Sequence, residues 1–458
     1  MMTKLTASLT GAALTGTLLF GTACESFVEG LNDDPNNFTD ITLPLALGQA
    51  QLNQASIAGG FPSHLASMWT DQFTGTDRQY ISFDDYAINN GSFDDVWEDL
   101  YQRGIVHAQI AGEIATEQGL ADRAAVAAIL EAYYFGETAL MFGDVPFSQV
   151  NQIDQFTDPT YDTQESVLRG AVDLIGGATA AADLAVSATG GQIYDTDATW
   201  GQIGNGFRAR YLLGLMDYEG ALAAAEASEM DTPAEDLEII STTTNFGENL
   251  YWQFEVEQRT SYLTVDNATR GISYFRSLLS DTTELSRNAD DDKTDDSARY
   301  AYFIEVDDDF ATDNVRYNIT DGWAAQTANL SILTSAEVLL IKAEAAARTG
   351  DDDLAIEALN EAREYWDTLL GTDNYDELES SDFADSDALL EAILIEKYVS
   401  VIGLPAFYDV NRTDNLIGVP SEGANPLAER FLYPSTEQSS NDQFPGLESL
   451  TTPLPLYN

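Results

Sequence analysis

Apolar residues recur at three- and four-residue spacing along most of the chain, which is the period of an amphipathic α-helix. The stretches with this period are 43–58, 61–73, 92–118, 120–142, 163–187, 198–215, 217–229, 271–280, 332–349, 352–370 and 386–403. Within 124–140, alanines alternate with aromatic residues, so helices can approach closely while the rings fill the gaps. The pattern predicts a mostly α-helical fold.

Two segments place a pair of amphipathic helices on either side of a short turn. In 335–363, the turn is Gly350-Asp351, and small residues such as Ala343 and Ala358 lie on both sides of it. This arrangement follows the tetratricopeptide pattern, and 199–228 is a looser copy. Each pair leaves one apolar face uncovered, so neighbouring pairs must stack. We therefore predict a tetratricopeptide-like superhelix of helical pairs.

Long stretches without a clear period interrupt these helices. The main ones are 74–91, 230–270 and 281–330, which we interpret as loop insertions in a single domain spanning 43–458. They contain turn-forming residues and many of the aromatic side chains. Loops held on a rigid frame are a common place for binding, so we expect the ligand site there.

The N-terminal segment has the features of a secretory signal that ends at a lipoprotein-type cleavage site. A basic start is followed by an apolar run, and then Gly21, Thr22 and Ala23 lead into Cys24, the only cysteine. A lipobox usually has Leu where this chain has Gly21. We predict a signal peptide at 1–23, acylation of Cys24 and a leader over 24–42, with the membrane reached through the lipid anchor alone. The alternative is an ordinary signal peptide with an incidental cysteine.

The charge balance excludes one class of partner. The chain has 77 acidic and 20 basic residues, a formal net charge of -57. Such a surface repels phosphate, so nucleic-acid binding is not expected. Acid is spread along the whole chain and lysine is scarce, which is typical of a surface adapted to high salt, where self-repulsion is screened.

Catalytic and metal-binding signatures are absent from the sequence. The two histidines, His64 and His107, are too few for a multi-histidine metal site, and the one cysteine is assigned to the lipid. We predict no enzyme activity and no cofactor. The acidic runs Asp290–Asp296 and Asp307–Asp309 could ligate calcium, although their spacing does not match an EF-hand and a solvated acidic loop is the alternative.

Aromatic residues in the loops are the candidate ligand-binding groups. A protein that holds carbohydrate without cleaving it needs flat apolar rings for the sugar faces and polar side chains for the hydroxyls. Segments 69–93 and 245–262 have this composition. The predicted ligand-binding residues are Trp69, Tyr80, Phe83, Tyr86, Trp252, Tyr262 and Trp323. The alternative, that these rings belong to the core, stays open.

Six motifs occur in an order that resembles the SusD/RagB family, in its SusD-like branch. They are Leu31–Asn36, Trp97–Tyr101, Phe142–Phe147, Leu333–Gly350, Glu396–Arg412 and Phe431–Pro434. The resemblance implies a lipoprotein on the cell surface, anchored in the outer membrane. It also implies a partner transporter, TonB-dependent and of the SusC type, which receives glycans or, in some branches, peptides from the lipoprotein.

Two other functions remain open from the residues alone. A lipid-anchored helical glycoside hydrolase needs only two suitably spaced carboxylates, and 77 acidic residues offer many pairs. A tetratricopeptide-type scaffold would bind other proteins and no small ligand.

Overall fold

A computed structural model describes residues 41–190, 193–267, 271–280, 283, 285–287, 293–305, 315–421 and 426–458. The predicted signal sequence, Cys24 and most of the leader lie outside these residues. So do 288–292 and 306–314, which include most of the two acidic runs proposed for calcium. In the described part of the chain, no group of three or more His, Cys, Asp or Glu is placed to hold a metal.

Helices account for most of the structure, as the periodicity predicts. They are α1 (Leu43–Leu52), α2 (Gln54–Ala58), α3 (Phe61–Trp69), α4 (Arg78–Asp84), α5 (Asp94–Glu98), α6 (Val106–Glu117), α7 (Ala121–Phe142), α8 (Gln164–Ala178), α9 (Ser187–Gly190), α10 (Trp200–Gly214), α11 (Tyr218–Ser228), α12 (Leu250–Trp252), α13 (Tyr274–Leu279), α14 (Ser297–Phe303), α15 (Ser335–Thr349), α16 (Asp352–Leu370), α17 (Ser386–Ser400), α18 (Leu404–Arg412) and α19 (Ser435–Ser440). Helical turns of the π type occupy Asp99–Ile105 and Gln253–Gln258.

The pair α15 and α16 illustrates how the sequence sets the helix ends. The Thr334 side chain accepts the Glu337 amide at the start of α15, and Gly350 ends that helix with a positive φ of 85°. The Asp351 side chain then caps α16. Glycine adopts this left-handed conformation without strain, so the turn between the two helices is sharp.

The long helices pack side by side into a wall. Helix α7 lies between α6 and α8, α8 contacts α10, α10 pairs with α11, α11 contacts α15, and α15 packs on α16 and α17. Close approach depends on small residues, since a Cβ at Gly136 would lie 2.3 Å from the Tyr211 ring. The predicted helical pairs are confirmed, and we call this set of helices the helical wall.

Helix α7 is the central element of the wall. Of the described helices, it is the one long and apolar enough to cross a membrane, but 89% of its most apolar window is buried inside the protein. A buried ion cluster ties it to its neighbours: Arg210 of α10 donates to Glu137 of α7 at 2.9 Å and to Glu337 of α15 at 2.7 Å. Such a buried cluster fixes the relative position of three helices.

The remaining segments carry short strands and short helices. Strands β1 (Thr74–Gly75) and β6 (Leu263–Thr264) pair, as do β2 (Val145–Pro146) with β3 (Tyr161–Asp162) and β7 (Asp266–Asn267) with β8 (Gly271–Ile272). Strand β5 (Leu237–Ile239) lies between β4 (Tyr194–Asp195) and β9 (Leu330–Leu333), all antiparallel. The segments predicted as loops therefore hold some regular structure, with α4 inside 74–91 and α14 inside 281–330.

Candidate functional site

Two of the aromatic segments meet through the β1–β6 ladder. Thr74 pairs with Thr264 and Gly75 with Leu263, and the Thr76 amide donates to the Tyr262 carbonyl at 2.9 Å. A Cβ at Gly75 would lie 2.1 Å from the Tyr80 carbonyl oxygen, so the chain can turn this tightly into α4 only with glycine. The ladder thus brings α4 beside the π-helical turn Gln253–Gln258.

The two segments and the start of α3 line an open cleft of about 510 Å³, which we call the aromatic cleft. Its apolar lining includes Phe61, Tyr80, Phe83 and Phe254. Phe61 and Phe83 are half-buried and meet edge to face, with ring centroids 5.5 Å apart. Each therefore leaves part of its ring surface open to a ligand.

The buried rings of Tyr80 and Phe254 pack beneath the half-buried rings of the cleft. Tyr80 packs against Phe83 at 5.6 Å, Phe254 at 5.1 Å and Tyr262 at 5.9 Å between ring centroids. The Tyr80 hydroxyl lies 3.2 Å from His64 Nδ1. Burial lowers the pKa of His64 to about 3, so the imidazole is neutral at physiological pH and acts here as a packing and hydrogen-bonding group.

Polar side chains surround the rings at the surface. Gln79, Gln258, Arg259 and Asp95 line the cleft and are exposed, and the Arg259 guanidinium lies 5.7 Å from the Tyr262 ring centroid. Amides, a guanidinium and a carboxylate can donate to and accept from hydroxyl groups. The arrangement of ring faces beside such groups is suited to holding a polyhydroxylated ligand.

The structure brings together part of the predicted site. Tyr80 and Phe83 line the aromatic cleft, and half-buried Tyr262 packs directly behind Tyr80. Trp252 is half-buried on α12 and is not among the residues that line the cleft. Trp323 lies elsewhere, in a second cavity, with its indole N–H donating to the Phe303 carbonyl at 3.2 Å.

Two other predicted residues lie outside the cleft lining, Trp69 in the interior and Tyr86 half-buried beside it. Trp69 is 2% exposed, because the rings of Phe407 and Phe431 cover it and its indole N–H donates to the Phe83 carbonyl at 3.0 Å. Tyr86 packs edge to face on Trp69 at 6.0 Å, and its hydroxyl accepts from the Ala428 amide. For Trp69, the core interpretation replaces the platform interpretation.

The sequence reasoning missed Phe61 and Arg259. Phe61 follows Gly59-Gly60 at the start of α3, within a stretch whose period predicts a helix and not a loop. Arg259 directly follows the π-helical turn, in a segment whose aromatic residues are the predicted ligand-binding groups. An aromatic residue directly after a glycine pair was the one local signal for Phe61.

A family model matches residues 35–403, and its description is SusD-like, starch-binding, associating with the outer membrane. None of the curated proteins matches the sequence significantly.

Solved structures of this family share the fold. A SusD/RagB family protein from Bacteroides thetaiotaomicron is 18% identical, with a TM-score of 0.65 over 88% of this chain and 95% of its own. A chitin-binding SusD homologue from Flavobacterium johnsoniae is 15% identical, with a TM-score of 0.64 over 90% of this chain and 98% of its own. A SusD homologue from Bacteroides fragilis is 15% identical, with a TM-score of 0.66 over 91% of this chain and 100% of its own.

Proposed function

Because this chain belongs to the SusD-like family, we propose that it is a glycan-binding protein of the outer membrane whose ligand lies in the aromatic cleft. It is a binder and not an enzyme. We further propose that it is held at the cell surface through a lipid on Cys24 and passes its ligand to a TonB-dependent transporter of the SusC type.

The observation that carries this proposal is the juxtaposition of Phe61 and Phe83 with an exposed polar rim. The volume of about 510 Å³ is within the range of small-molecule sites. A net charge of -57 disfavours anionic ligands, and neutral sugars avoid that penalty. The chitin-binding relative from Flavobacterium johnsoniae supports a neutral glycan as the ligand class.

Isothermal titration with chitin and starch oligosaccharides in about 2 M NaCl, which screens the acidic surface, tests the cleft. Phe83→Ala should weaken binding of the better ligand by about 1–3 kcal/mol, because one ring face is lost. The matched control is Phe246→Ala, since Phe246 is 82% exposed and does not line the cleft. Equal affinity of Phe83→Ala and wild type, with both folded by circular dichroism, would place the ligand elsewhere.

The same mixtures distinguish the other functions. A binder leaves the oligosaccharides intact, whereas release of reducing sugar would establish a glycoside hydrolase. Titration with short peptides is the second arm. Peptide binding without any oligosaccharide binding would replace the glycan proposal.

The anchor is tested by Cys24→Ser, because Cys24 is the only cysteine available for acylation. The variant should leave the membrane fraction while its far-ultraviolet spectrum stays unchanged. Wild-type protein extracted from membranes in mild detergent should bring a large β-barrel transporter with it. Retention of Cys24→Ser in the membrane fraction would contradict lipidation at Cys24. Extraction of the wild type without a transporter would contradict the proposed partner.

A further inference from the structure

A second cavity, of about 130 Å³, lies between the helical wall and the loop segments. It shares no lining residue with the aromatic cleft. Exposed Ser331 and Leu369 lie at its rim, and buried Tyr133 and Arg210 lie at its inner end. We call it the inner cavity.

Five aromatic residues that line the inner cavity form a row in which each ring contacts the next. Trp366 meets Tyr302 at 6.0 Å and Phe303 at 5.5 Å between ring centroids. Phe303 meets Trp323 at 6.1 Å, and Trp323 meets Tyr251 at 4.6 Å. All five residues line the cavity. Aromatic faces carry partial negative charge, so such a row attracts a cation that it can desolvate.

The lining also includes two carboxyl groups, Asp236 and Glu238, without a cationic partner in the described part of the chain. Asp236 accepts from the Ser335 amide at 2.7 Å and from the Tyr365 hydroxyl at 2.6 Å. Glu238 accepts from the Ser331 hydroxyl at 2.8 Å and from the Asn329 amide group at 3.4 Å. Burial raises the pKa of both groups, that of Asp236 to about 8. Each lies in a place where a positive charge would stabilise its ionised form.

The one guanidinium in the cavity is already engaged. Arg210 donates to Glu137, to both oxygens of Glu337 and to the Ile332 carbonyl. The lining therefore has four carboxyl groups and one cation, and a bound cation would favour the ionised form of Asp236, which burial alone disfavours. Tyr302 also lines the cavity, and Glu238 and Asp236 are its nearest charged neighbours.

We propose that the inner cavity binds the ammonium head of a small organic cation. The row of rings supplies cation–π contacts, and Glu238 and Asp236 supply the counter-charge. The volume matches a compact head group and not a sugar, since an engineered cavity of about 150 Å³ holds one benzene. This site is independent of the glycan proposed for the aromatic cleft.

Titration calorimetry with choline and with its uncharged isostere 3,3-dimethyl-1-butanol tests the proposal on the intact protein. Choline should bind at least about tenfold more tightly than the isostere, because the two differ in charge and not in shape. Glu238→Gln should weaken choline binding by about tenfold or more. Glu219→Gln, which removes the same charge from an exposed position on α11, should leave it unchanged.

A second variant keeps the test decisive if Glu238→Gln does not fold. Tyr302→Leu removes one ring and keeps both carboxylates, and it should also weaken choline binding. Equal affinity for choline and the isostere would show an apolar cavity without cation selectivity. That result, or the absence of choline binding by folded wild type, overturns the proposal. Neither affects oligosaccharide binding at Phe83, so the two sites are judged separately.

Discussion

Two regions of the molecule bury carboxylates in different surroundings. On the helical wall, both oxygens of Glu344 accept from Arg412 at 2.7 Å, and Arg348 donates to the same carboxylate at 2.7 Å. At the inner cavity, Asp236 and Glu238 accept only from neutral groups. Both sets of carboxylates are desolvated, and they differ in whether a cation contacts them.

The pKa values respond in opposite directions. Burial alone would raise the pKa of Glu344, but Arg412, with help from Lys397 and Arg348, outweighs burial and lowers it to about 2. Burial raises the pKa of Asp236 to about 8, and its hydrogen bonds offset that only in part. A satisfied ion cluster is a fixed structural element, whereas a carboxylate that lacks a counter-ion leaves room for a ligand to supply one.

The largest expected effect is at the Glu344 cluster. Glu344→Gln leaves the two buried cations Arg412 and Lys397 to share the carboxylate of Asp409, which should cost about 3–5 kcal/mol of unfolding free energy. Urea denaturation in about 2 M NaCl measures it. In the wild type, the stabilisation from ionised Glu344 is fully present above pH 4.5, its unfolded pKa, and is lost as pH falls towards 2. The stability of Glu344→Gln should therefore fall less steeply between pH 4.5 and pH 2 than that of the wild type. A loss below about 1 kcal/mol would break the contrast between the two regions.

An intermediate and opposite effect is expected at Asp236. The pKa of Asp236 is about 8 in the folded state and 3.8 in the unfolded state. Between pH 3.8 and pH 8 the folded protein therefore binds a proton that the unfolded chain has lost. The stability of the wild type falls as pH rises through this range. Asp236→Asn cannot ionise. Relative to wild type, it should gain about 1–3 kcal/mol between pH 5 and pH 9. Parallel stability curves for variant and wild type would show that the pKa of Asp236 is not raised in the folded state.

The smallest effect is expected for an exposed ion pair. Glu165 and Arg169 lie one turn apart on α8, with half of each side chain exposed. Glu165→Gln should change the unfolding free energy by less than about 1 kcal/mol, because solvent and salt screen the pair. The same urea titration measures it. A change as large as that of Glu344→Gln would mean that burial is not what separates the clusters.

The helical wall was largely predictable because its information is local. Periodicity located α7, α10, α15 and α16, and the Gly350-Asp351 turn marked one boundary. Helix α18 was missed by periodicity, since Pro405 in its first turn and its short length give a weak pattern. Helix α4 was missed because its segment alternates rings and polar residues without a helical period.

The candidate site was predictable only in composition. The sequence identified Tyr80 and Phe83 as aromatic residues of a loop segment. It did not indicate that they line the same cleft as Phe61 and Phe254. That association depends on the β1–β6 ladder, whose two strands are far apart in the chain. Short ladders of two residues have no sequence signal of their own.

The sequence by itself determined the helical class, the pairing of helices, the acidic composition and the order of motifs typical of one family. Each of these depends on spacing or composition within a few turns. Only the tertiary structure decided which rings face solvent and which carboxylates lack a cation. Trp69 and Phe83 are both aromatic residues of the segment 69–93, and their local sequence does not distinguish them. Phe407 and Phe431, which are distant in the chain, cover Trp69, whereas Phe83 stays half-buried. Exposure and charge pairing are properties of long-range packing, which no local period encodes.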